Sequence, residues 1–231
     1  MTGRRASGVV LSSNHGPTRT NTDGAAAGPC WSVMVRGSKL QALRAIYGIR
    51  TRMTAAASRR SVAQGHGLPV QAAIVVAGVV AMAAAGRFSI PIGPVPITLQ
   101  TYALFVLAGV FGGRLGLGIV LAWLGCAAFG LPVLAGGAGG WKAIAGHTAG
   151  FLAGMAAAAW VCGRGAEKAK GWIALTALFA AGHAIVLAVG WAGLASFMGP
   201  RAAFDSGVLP LLPGAAAKSL AAALTVRLMS R

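Results

Sequence analysis

Lys218 stands in LPLLPGAAAKSLAAAL, residues 209–224, a stretch apolar enough to cross a bilayer. A lysine at the centre of a membrane helix costs about 2.5–3.5 kcal/mol on insertion scales. Pro213 and Gly214 interrupt the regular helix just before it, so Lys218 falls in the first turns. Such a cation either snorkels to water or faces a polar cavity and an anion. Residues 130–150 read GLPVLAGGAGGWKAIAGHTAG. The core of that stretch, Gly136, Gly137, Ala138, Gly139 and Gly140, has almost no side-chain bulk, so its backbone N–H and C=O groups can approach a small polar ligand. Irregular backbone is tolerated at membrane depth where it lines a cavity. Lys142 offers a second cation or snorkels to water, and Trp141 suits either an interfacial belt or a ligand contact. Pro91, Pro94 and Pro96 in IPIGPVPITLQ, residues 90–100, cannot continue a helix. They predict a stiff, extended outer loop, either a linker or the cover of an apolar pocket.

Other chemistry is missing from the sequence. No G-x-x-x-x-G-K-[ST] occurs, so any ATP hydrolysis belongs to another subunit. Neither HExxH nor CxxC is present, which leaves a metal site without support. The three acids are Asp23, Glu167 and Asp205, and none falls within an apolar stretch. Ion-coupled transporters usually place carboxylates in the membrane, so secondary transport is disfavoured. His183 is the one histidine deep in an apolar stretch; it reads as a hydrogen-bonded packing residue or a ligand contact. A Ser–His hydrolase needs a nucleophile beside it. Ser196 is distant in sequence and G-x-S-x-G is absent, so the chain does not read as an enzyme.

The elements that position these residues follow from composition. The chain has 231 residues, 56% of them hydrophobic and only 10% charged, with mean hydropathy +0.72. A soluble domain carries about 25% charged residues, so this chain cannot clothe itself in a polar surface. The expected class is an all-α integral membrane protein. Six spans are predicted, at about 68–86, 97–113, 115–130, 147–163, 171–194 and 209–228. Small residues crowd the third and fourth and predict closely packed helices.

The net charge is +17, from 20 Lys+Arg against 3 Asp+Glu. In a soluble protein that would suggest nucleic acid, but the basic residues either fill residues 1–66 or punctuate the apolar stretches. With six spans both termini share a side. Placing them in the cytoplasm puts Arg114, Arg164, Lys168, Lys170, Arg227 and Arg231 inside, and Arg87, Lys142 and Arg201 outside. The Arg-, Ser- and Gly-rich residues 1–66 read as disordered, and residues 67–231 as one membrane domain. The tail is a basic cytoplasmic segment, the product of a start placed upstream of Met34 or Met53, or a nucleic-acid arm.

In the first span Ala73, Ala77, Ala81 and Ala85 recur every four residues. Such a stripe makes a flat face, used for packing within the bundle or for docking another membrane subunit.

Taken in order, IPIGPVPITLQT, GLPVLAGGAGG, the G-x-T-x-G-[FY] element at Gly146–Phe151 and LPGAAAKS resemble the BioY family. Gly182–Leu194 is similar to the fifth helix of its proteobacterial members. BioY proteins are the substrate-binding S components of energy-coupling factor biotin transporters, and the resemblance extends over residues 68–228.

It implies a six-helix S-component fold in the bacterial cytoplasmic membrane that captures biotin from outside, with no cofactor. It also implies partners: a transmembrane coupling subunit, docked on Ala73, Ala77, Ala81 and Ala85, and two ATPase subunits. Lys218, aided by Lys142, would neutralise the biotin carboxylate. Gly136, Gly137, Gly139, Gly140 and Thr148 would supply polar contacts, Trp141 would lie nearby, and the loop carrying Pro94 and Pro96 would close the entrance. The sequence departs from the family pattern in three places. Ala215 stands where many members carry an acid three residues before the lysine, Ala138 where some members carry an asparagine, and Gly146–Phe151 reads GHTAGF where the family element reads GPTGGY. An S component for a different vitamin and a stand-alone facilitator are the rival readings.

Overall fold

The structure, a computed structural model, describes residues 67–230. The expectations for residues 1–66, disorder and a displaced start alike, lie outside the described residues.

Helix α1, Leu68–Arg87, opens with Pro69 in its first turn, where the missing N–H costs nothing. Its packing face is Gly78, Met82 and Gly86, four residues apart. At Gly78 a methyl group would stand 2.6 Å from the Ile119 Cδ1, so the glycine lets Ile119 seat against the helix. Two short antiparallel strands follow, β1 at Ser89–Ile90 and β2 at Ile97–Thr98, with Ser89 opposite Thr98. They tie off the proline loop as a hairpin.

Helix α2, Gln100–Ala128, is two helical limbs joined end to end at a kink. Gly112 breaks it with φ 83° and ψ 174°, a conformation open to glycine and strained for any L side chain. The chain doubles back there. A methyl at Gly116 would stand 2.9 Å from the Ala108 Cα, an approach impossible within one straight helix. The limbs 100–111 and 113–128 therefore replace the expected spans 97–113 and 115–130. At 1.5 Å per residue the first limb rises about 18 Å, short of the roughly 30 Å of a hydrocarbon core.

The short helix α3, Trp141–Ile144, leads to α4, Ala149–Ala166, and α5, Gly171–Met198. After α6, Pro200–Ala203, the irregular residues 204–211 lead into α7, Leu212–Met229. Counting the limbs of α2 separately, six principal rods are formed among the described residues. Four helical stretches have the length and composition of a membrane span, Leu68–Arg87, Gln100–Ala128, Gly171–Met198 and Pro200–Met229, and the second of them divides its length between the two limbs. Helix α4 falls outside that set; it is rich in Gly and Ala and carries Arg164 near its end.

The centre is dry. Trp123, Phe105, Phe179 and Met82 are fully buried, and the Phe105 and Phe179 rings stack at 5.3 Å. Trp123 satisfies its indole N–H on the Val133 carbonyl at 2.9 Å. Large apolar side chains such as Val76, Val80 and Ile173 point outward, as they must in a body whose solvent is lipid.

Candidate functional site

Above the phenylalanine pair, at one end of the bundle, lies a cavity of about 380 Å3. Ligand sites for small molecules fall in this size range. Its walls are helical stripes. Phe151 and Met155 come from successive turns of α4 and His147 from two residues before it, His183, Val186 and Leu187 from α5, and Ala215 and Lys218 from the start of α7 with Leu211 just before it. Thr98, Gln100 and Thr101 enter from β2 and the start of α2, and Pro94, Val95 and Pro96 from the hairpin tip. Val95 is buried and the two prolines half-buried, so the tip of the loop turns into the molecule.

Lys218 lies on this wall, half-buried, and donates from Nζ to the Thr98 carbonyl at 3.0 Å. The strand-ending carbonyl fixes the ammonium on the cavity side. Lys142, exposed, contributes at the rim from α3. Neither Glu167 nor Asp205 is among the lining residues, so the charged side chains of the wall are both lysines.

His183 is buried beside them. Its Nδ1 lies 2.8 Å from Ser219 Oγ and 3.2 Å from the Phe179 carbonyl, and its Nε2 lies 3.2 Å from Thr101 Oγ1. Ser219 itself donates to the Ala215 carbonyl at 2.8 Å. With that hydroxyl proton committed, Ser219 Oγ accepts from Nδ1–H, and Nε2 accepts the Thr101 hydroxyl proton. Thr101 is thereby oriented with free lone pairs at the cavity wall. Although Ser219 and His183 make a close pair, Ser219 is buried behind the lining and donates to backbone, so it is not a nucleophile facing the cavity.

The site residues expected from sequence divide into two groups. Lys218, Lys142, Thr148, Pro94 and Pro96 share the one cavity. Gly136, Gly137, Gly139, Gly140 and Trp141 are not among its lining. Their backbone is used elsewhere: Gly137 N–H donates to the Leu134 carbonyl at 3.0 Å and Gly140 N–H to the Ala127 carbonyl at 2.7 Å. Gly136, Gly137 and Gly140 have φ of 63°, 81° and 85°, so their glycine character shapes the loop. Gly139 fits against the Leu131 carbonyl, and Trp141 is 71% exposed. The loop meets the cavity through Leu134, Ala135 and Ala138 instead.

Thr101, His147 and Phe151 were not expected as site residues; the i, i+4 spacing of His147, Phe151 and Met155 is the sequence signal that marks them as one face. Thr148 Oγ1 donates to the Ala143 carbonyl at 3.3 Å and so holds α3 against the start of α4.

The Ala73, Ala77, Ala81 and Ala85 stripe belongs to a different surface. The first three are exposed and Ala85 half-buried.

The site thus offers apolar walls, a fixed ammonium, a second ammonium at the mouth and one oriented hydroxyl. That set fits a small ligand with an apolar body, polar centre and negative charge.

Comparison with known proteins gives a consistent picture. The family described as BioY matches residues 54–231. A protein of Rhizobium etli named biotin transporter BioY is 35% identical over 169 residues, 68% of this chain and 90% of that protein. A biotin transporter BioY of Thermotoga maritima is 40% identical over 102 residues, 44% of this chain and 60% of that protein. Among solved structures, the S-component for biotin from an ECF-type ABC transporter superposes with a TM-score of 0.62 at 25% identity, covering 72% of this chain and 95% of that one.

Proposed function

The chain belongs to the BioY family, and on that premise we propose that it is the biotin-binding S component of an energy-coupling transporter, taking biotin from outside the cell and delivering it inward. It is a multi-pass membrane protein and not an enzyme. The observation that carries the reading is the cavity of about 380 Å3 whose charged side chains are two lysines with no carboxylate. Biotin brings what is missing: an apolar fused ring, a ureido group and a valerate carboxylate.

Lys218, with Lys142 at the rim, neutralises the carboxylate, while Thr148 and Thr101 supply directed hydrogen bonds. The hairpin tip at Pro94 and Pro96 closes over the ligand. A specific observation favours a second orientation. His183 presents Thr101 in the same wall as Lys218, a donor–acceptor set suited to a ureido ring. In that orientation the carboxylate points to the exposed Lys142.

The energising partners are a transmembrane coupling subunit, received on Ala73, Ala77 and Ala81, and two ATPase subunits. Both termini lie in the cytoplasm. Support for this comes from Arg114, Arg164, Lys168, Lys170 and Arg227 falling on one side and Arg87, Lys142 and Arg201 on the other, with the cavity rim at Lys142 on the outer side.

Binding assays on the purified chain test the reading. Biotin binds, and thiamine, riboflavin and pantothenate fail to displace it; displacement by one of these assigns a different vitamin. Liposomes holding the chain alone take up no biotin, whereas uptake without ATPases identifies a facilitator.

A further inference from the structure

At the end of the bundle opposite the cavity, Gly112 and Gly113 make the turn between the limbs of α2, and Gly163 of α4 lies directly on them. A methyl at 163 would stand 2.5 Å from the Gly113 N and Cα. That backbone contact sets Arg114 beside Arg164 and Lys168. With Gly112, Leu115 and Glu167 they line a second cavity, also of about 380 Å3. All four charged side chains are exposed, three positive and one negative.

Its depth is given by neighbouring groups. From Thr148 to Arg164 the chain rises about 24 Å at 1.5 Å per residue, so this pocket is nearly a hydrocarbon thickness away from the first. The Arg164 guanidinium stacks on the Trp160 indole at 4.5 Å. Trp160 and, at the start of α5, Trp172 are 37% and 47% exposed, in the manner of aromatic residues at headgroup level. About one helical turn into the bilayer from Arg164, Val161 exposes apolar surface, and near the start of α5 Ile173 does the same.

We propose that this pocket binds the phosphate of an anionic phospholipid, with the lipid's chains lying along Val161 and Ile173. Three cations around one concave site match a phosphodiester, and the apolar surface beneath selects a lipid over free phosphate. The site is independent of the vitamin cavity and shares no residue with it.

Native mass spectrometry of the detergent-purified chain with dioleoylphosphatidylglycerol or dioleoylphosphatidylcholine is the test. The phosphatidylglycerol adduct is retained preferentially. Each of Arg114→Gln, Arg164→Gln and Lys168→Gln reduces it about fivefold, the value expected for about 1 kcal/mol per surface cation. Arg227→Gln, a charge-matched control elsewhere, leaves it unchanged, and retained biotin binding reports that each variant is folded. Competition by millimolar inorganic phosphate as effective as by lipid would assign the site to soluble phosphate and overturn the lipid proposal. Equal retention of the two lipids, or full retention in the three glutamine variants, would overturn it as well.

Discussion

An ammonium has three N–H donors, and among the described residues Lys218 is held by one acceptor, the Thr98 carbonyl. The acid that many members of the family carry three residues earlier is Ala215 here, at the same wall. The remaining donors therefore wait for water or for a ligand's oxygen. Lys218→Ala is expected to lose about 2 kcal/mol of biotin affinity, roughly thirtyfold, as for a hydrogen bond to a charged group; isothermal titration or fluorescence quenching reads it. Biotin methyl ester, which lacks the negative charge, separates the two orientations. If Lys218 meets the carboxylate, the ester is insensitive to Lys218→Ala; if Lys142 meets it, the ester is insensitive to Lys142→Ala and still loses affinity with Lys218→Ala. Thr101→Val keeps the shape of Thr101 and removes its hydroxyl. It should weaken biotin by about 1 kcal/mol, a factor near five, by deleting one directed hydrogen bond. Unchanged affinity in Thr101→Val would remove the His183–Thr101 pair from recognition.

At the scale of the element, the decisive position is Gly112, where α2 reverses. Gly112→Ala places a methyl 2.9 Å from Glu167 Oε1 and forces an L residue to φ 83°. The expected cost is about 1–3 kcal/mol, seen as a lowered thermal midpoint in detergent. Gly118→Ala in the second limb meets nothing within 4 Å and should be neutral or stabilising by about 0.5–1 kcal/mol. Equal behaviour of the two variants would contradict the reversal.

The sequence marks this break well, because Gly112, Gly113 and Arg114 interrupt an apolar run with the smallest and the most polar of residues. It marks Lys218 well for a similar reason, since the insertion cost of a lysine demands an explanation. The glycine loop reads misleadingly. Whether Gly140 N–H faces a ligand or the chain depends on Ala127, whose carbonyl receives it across a fold boundary. No spacing rule contains that partner. His147 and Phe151 needed the face of α4 to be known before their common stripe had meaning.

For the molecule as a whole, the question is how the rods meet others. Ala73, Ala77 and Ala81 leave one side of α1 without bulk, and the exposed Val76 and Val80 lie next to them. Ala77→Leu with Ala81→Leu should leave biotin binding intact while cutting uptake severely in cells that express the coupling and ATPase subunits. Uptake equal to that of the unmodified chain would discard this side as the docking face. The measurement pairs a binding assay on purified protein with radiolabelled biotin accumulation, so loss of folding and loss of docking are told apart.

The buried pair Phe105 and Phe179, against which the cavity-lining His183 ring packs, has one more consequence. A vitamin that slips in past Pro94 arrives in a cul-de-sac, for the floor is aromatic and tightly filled. Such a protein does not work as a tunnel. On the function proposed above, a blind chamber delivers its load only if its mouth comes to look the other way, which would make the turning bundle itself the vehicle of transport.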